Sequence, residues 1–152
     1  MPSLSQSGKP FVHLLDDPAR EKAHATRYTT KSDAIDEYGV VVDAMFRIVI
    51  SQALSSTDQA VLGTAMRSRH KLVWEEAGRR LMQLSHYFPE TSEVLLDLLG
   101  DPSAKIRVRV VQSVWTDRPP LELMRSILAR GLQDASAEVR RFSADRAEAY
   151  VK

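Results

Sequence analysis

Two pairs of opposite charges in this chain share one spacing: Asp101 with Arg107 and Asp134 with Arg140, each pair six residues apart and the two acids 33 apart. Guanidinium and carboxylate groups meet through charge-assisted, often bidentate hydrogen bonds, which fix geometry rather than break covalent bonds. More cations cluster at the same places: Arg67, Arg69 and Lys71 at one break, Lys105 and Arg109 at the next, and Arg141 at the third. A period of 33 brings those breaks onto one edge. Helix N-termini at that edge add partial positive charge. Arg67, Arg69, Lys71, Lys105, Arg109 and Arg141 are therefore the candidate partner-binding residues, and the chemistry they offer is the capture of an acidic surface. With Arg109 on that exposed edge, its truncation is expected to leave stability nearly unchanged.

Other reactive residue types form no such pattern. The glycines at 8, 39, 63, 78, 100 and 131 are scattered and assemble no phosphate-cradling loop. Neither G-x-S-x-G nor H-E-x-x-H occurs. His13, His24, His70 and His86 share no ligand spacing, so no metal site is expected. Glu75 and Glu76 are neighbours; on a helix they point about 100° apart, cannot share a proton and read as a solvated face. Trp74 and Trp115 occupy different positions within the period and are expected to pack in the core. The reading is of a non-catalytic protein without a cofactor.

The elements that must position the charges follow from the same period, which marks stacked repeats. Val94-Leu-Leu-Asp-Leu-Leu99 and Ile127-Leu-Ala-Arg-Gly-Leu132 precede the two acids in one register, so each copy reads as helix, tight turn, helix. One period earlier, Leu62, Ala65, Met66, Val73, Ala77 and Leu81 match Leu95, Leu98, Leu99, Ile106, Val110 and Val114. There Ser68 stands in place of Asp101 and Trp74 in place of Arg107, which makes this unit degenerate. The expected units are 56–88, 89–117 and 118–152, within one domain spanning 33–152. Pro89 and Pro119-Pro120 fall between units, where proline ends one helix and starts the next. Residues 1–32 form an arm, partly ordered, in which Phe11 to Leu15 is expected to tuck onto the body and Asp17-Pro18 to cap a short helix through Arg27. The β-branched residues between Asp33 and Leu54 would suit a strand, but the length of the pattern and Asp43 with Arg47 at i,i+4 favour a long buried helix. Ser56-x-x-Gln59 reads as the capping box of the next one.

Composition adds bounds. With 43% apolar and 27% charged residues among 152, a net charge of +1 and no cysteine, the chain suits one soluble globular domain without disulfides. Its most apolar run, 39–50, is shorter than the roughly 20 residues of a membrane span. A cytoplasmic protein that does not enter the membrane is the expectation.

Leu98-Leu99-Gly100-Asp101 followed by Ile106-Arg107, and Leu132-Gln133-Asp134 followed by Val139-Arg140, resemble the HEAT-repeat family in a small bacterial-type form. The resemblance implies an all-α fold: a short α-solenoid, a right-handed stack of antiparallel helix pairs with an N-terminal capping helix. It also implies that Asp101, Arg107, Asp134 and Arg140 form a structural ladder, with Arg107 bonded to Asp134 of the next unit. By the same resemblance the function is a protein-binding module, an adaptor or a toxin-neutralising inhibitor of the immunity type, whose partner is a protein with an acidic surface. The alternative it implies is nucleic-acid binding, as in HEAT-like glycosylases of alkylated bases; a lyase activity, known in some relatives, finds no residue here to carry it.

Overall fold

The computed structural model describes residues 12–14 and 16–151, and among them it is all-helical with no strand. A 3-10 turn at Val12–Leu14 precedes α1 (Pro18–His24), a second 3-10 turn (Ala25–Arg27) and α2 (Ser32–Ser51). Three antiparallel pairs follow: α3 (Ser56–Met66) with α4 (Lys71–Leu84), α5 (Glu90–Leu98) with α6 (Ala104–Thr116), and α7 (Leu121–Leu132) with α8 (Ala137–Val151). The second helices of the pairs stack in a row, α4 against α6 and α6 against α8, while α3 lies against α5. The α1–α2 layer covers the other side of α3 and α4.

The caps explain the boundaries. Asp17 accepts from the Ala19 N–H and opens α1 with Pro18 in its first turn. Phe11 and Leu15 of the expected tucking segment lie outside the described residues; Leu14 packs against the core. The stretch with strand-like composition is helical throughout, because Val41, Val42, Met45, Ile48 and Val49 all find buried surroundings on one side of α2. Strand propensity gives way to packing there. The capping box is displaced by one residue: the N-cap of α3 is Ser55, which accepts from the Asp58 N–H, and Gln59 bonds back to the Leu54 carbonyl. Pro89 and Pro120 occupy the N-cap positions of α5 and α7.

One core runs through all layers. Met45, Leu62, Met66, Leu81, Leu95, Leu98 and Ile127 are essentially inaccessible to solvent. Truncating a residue of this kind to alanine costs about 2–5 kcal/mol. Two glycines set the helix approach. A Cβ on Gly78 of α4 would overlap the side chain of Ser113 on α6, and one on Gly131 of α7 would overlap Ser143 on α8.

A buried charge cluster joins the N-terminal layer to the first pair. Arg80, 4% exposed, donates Nε–H to Glu76 at 2.8 Å, Nη1–H to the Leu14 carbonyl at 2.8 Å and to Gln83, and Nη2–H to Glu21. Glu76 also receives Arg79. This corrects the expectation of a solvated Glu75-Glu76 face: Glu76 is buried because α1 packs over it, bringing its own acid for the arginine.

Candidate partner-binding edge

Three inter-helix turns share one local construction. In the turn after α5, Asp101 accepts from the Ser103 N–H at 2.9 Å; in the turn after α7, Asp134 accepts from the Ser136 N–H at 2.8 Å. In the degenerate unit Ser68 accepts from the His70 N–H at 3.1 Å and does the same work with a hydroxyl. Each such turn closes because a short polar side chain bonds to the backbone two residues on. An arginine six residues later then ties the turn from inside. Arg107 Nη1 donates to the Asp101 and Pro102 carbonyls at 2.8 and 3.2 Å, and Arg140 Nη1 to the Asp134 and Ala135 carbonyls at 2.7 and 3.0 Å.

The turns are bonded to one another along a single edge. Arg107 grips Asp134 with Nε and Nη2 at 2.8 and 3.0 Å. Arg67 reaches Asp101 with Nε at 3.1 Å and Nη2 at 3.0 Å. Toward the N terminus, Ser68 donates to Glu37 at 2.7 Å, and Arg69 and His70 both meet Asp33 Oδ2, at 2.6 and 3.0 Å. The Arg107 guanidinium, then the Ser136 N–H, hold the Asp134 carboxyl below its ordinary range. For Asp101 the Ser103 N–H is the largest cause and Arg67 contributes. Arg69 and His70 depress Asp33 further. The donor atoms of Asp33, Glu37 and His70 lie within 4.8 Å of one another. Since Arg69 already neutralises Asp33 and would repel a metal cation, these three read as the N-terminal rung.

The six candidate partner-binding residues therefore separate. Arg67 and Arg69 are held by Asp101 and Asp33, and Lys71 lies 4.0 Å from Glu75 one helical turn on. Arg109 is not on the edge: it is 4% exposed, donates Nη1–H to the Met66 and Ser68 carbonyls at 2.7 Å each, and lies 5.0 Å from the ring centre of Trp74. It was expected outside because it follows Arg107 closely, but on a helix two residues apart point in different directions. Its burial pushes the guanidinium below its ordinary pKa. Lys105 and Arg141 are exposed and form no ion pair among the described residues. With Arg140 they concentrate available positive charge on the C-terminal half of the edge.

The Arg67 rung has no signal in the 33-residue register, since position 67 matches Gly100. The presence of an arginine beside Ser68 was its only trace. The tryptophans also differ from expectation. Trp74 is half-buried under Arg109, whereas Trp115 is 56% exposed, with the Arg146 guanidinium 4.5 Å from its ring centre. Trp115, Arg118, Arg146 and Tyr150 line a notch of about 90 Å³ away from the edge. The described residues contain no helix long and apolar enough to cross a membrane. Set beside protein-family models, curated proteins and solved structures, the chain matches none of them.

Proposed function

We propose that this chain is a non-catalytic, HEAT-like protein-binding module, an adaptor or an immunity-type inhibitor, that holds an acidic partner protein on the C-terminal half of its turn edge. The observation that carries this reading is the uneven pairing of the edge. Arg67 and Arg69 are bonded to acids of their own chain, while Lys105, Arg140 and Arg141 present positive charge beside only one exposed acid of their turns, Glu138. Cations arranged so steer association and select partners by sign. Affinity capture from the native host supplies the partner. The double reversal Lys105→Glu with Arg141→Glu then weakens its binding by about tenfold, roughly 1.4 kcal/mol, with helicity unchanged. Equal affinity of the two proteins would refute the edge as the interface.

A second reading rests on a different surface. Exposed Trp115 beside Arg146 and Arg118 offers a ring for base stacking next to two guanidiniums for phosphate. Duplex and single-stranded DNA titrations at two salt concentrations test it. Binding that falls steeply with salt and is lost in Trp115→Ala replaces the first reading with this one.

A further inference from the structure

The ladder described above repeats one device, and its last copy is incomplete. Arg107 has two jobs: Nη1 ties its own turn, and Nε with Nη2 hold Asp134 of the next unit. Arg140 does the first job with the same pair of carbonyls. For the second job no acidic side chain among the described residues pairs with it. Fixing Nη1 on two carbonyls pins the guanidinium plane, so the entropy of orienting a long side chain is already spent before any carboxylate arrives.

We infer that Arg140 is an open rung, which receives a carboxylate from an inter-helix turn of a partner protein as Arg107 receives Asp134. Two observations define that occupant. The internal twin shows its chemistry: an aspartate closing a tight turn at a helix N-terminus, with both oxygens turned toward the arginine. The carboxylates of that kind in this chain, Asp33, Asp101 and Asp134, are each held by an arginine of their own molecule, so the occupant is a different protein rather than a second copy. A bidentate arginine site discriminates by geometry as well as charge, so a lysine cannot replace it. This inference rests on the binding reading proposed above and narrows it to the end of the stack.

The test has an arm that needs no partner. A chain extended by a second copy of residues 119–152 supplies a defined carboxylate, the appended counterpart of Asp134. In that protein Arg140→Ala lowers the urea midpoint as much as Arg107→Ala does, and at least twice as much as Arg140→Ala in the natural chain. Removing the appended aspartate abolishes the difference. An appended unit that adds no helicity, or equal effects of Arg140→Ala in the two chains, overturns the inference. In the second arm the captured partner binds Arg140→Lys about tenfold more weakly than wild type. Wild-type affinity for Arg140→Lys, together with weakened binding of the Lys105→Glu, Arg141→Glu protein, overturns the open rung and leaves the broader reading standing. Undiminished binding of both proteins overturns the two together.

Discussion

Arg109 and Trp74 replace a missing pair: the arginine that ties its own turn in the two regular units is a tryptophan in the degenerate one, and Arg109 from the next unit reaches across that tryptophan to tie the turn instead. The two carbonyls it holds, of Met66 and Ser68, close the α3–α4 turn. The substitution at 74 and the burial at 109 are thus one arrangement, in which a bond within a unit has become a bond between units.

Arg109→Ala is expected to lower stability by about 2–4 kcal/mol, because it leaves two carbonyls without a donor and opens a cavity beside Trp74. Urea titration checks this. A loss under about 0.5 kcal/mol would mean water replaces the guanidinium freely.

Arg107→Ala should cost about 1–3 kcal/mol, and most of that loss should vanish when Asp134→Ala is already present, since the pair is one interaction. Because the Asp134 carboxyl titrates below its ordinary value of 3.8 in the folded chain, its stabilisation is complete above that value and is lost as pH falls through the folded one. Asp134→Asn should therefore flatten the acid limb of the stability curve below about pH 4. An unchanged acid limb would assign the acid sensitivity to other carboxylates.

Tyr38 gives the opposite sign. Burial, aided by the Glu76 charge, raises its hydroxyl from 10.0 to about 12. The unfolded chain therefore loses this proton first as pH rises, and the stability from a neutral Tyr38 is whole below pH 10 and declines between 10 and 12. Tyr38→Phe should lessen the alkaline decline, measured as Tm against pH. Identical slopes in the two proteins would place the loss elsewhere.

Gly78→Ala should destabilise by about 1–3 kcal/mol despite the better helix propensity of alanine, because the new methyl meets Ser113 across the α4–α6 contact. The pair Gly78→Ala with Ser113→Gly should recover part of the loss. If Gly78→Ala alone melts higher than wild type, the helices separate at little cost and propensity governs the site.

The all-helical fold was legible because apolar residues recur in register across three units and prolines fall at their boundaries. Arg107 with Asp134 was legible for the same reason: both lie in regular copies. The rest depended on contacts that periodicity does not encode. Arg67 reaches Asp101 from an irregular position, and Ser68 substitutes a hydroxyl for a carboxylate. Glu76 looked solvated because its helix alone would expose it; only α1, distant in sequence, buries it. Trp115 at a helical spacing suggested core, yet it lies near the C-terminal end of α6 beside Arg146, where the next pair leaves its ring uncovered.

The Arg80 cluster sets an order of events during synthesis. Its acceptors Leu14 and Glu21 precede it by 66 and 59 residues, so the N-terminal layer leaves the ribosome long before the cation that anchors it. Until α4 is made, Glu21 has no partner for its charge and α1 has no surface to lie on. The segment translated first is thus among the last of its neighbourhood to settle, whereas each later helix pair emerges onto a platform already built.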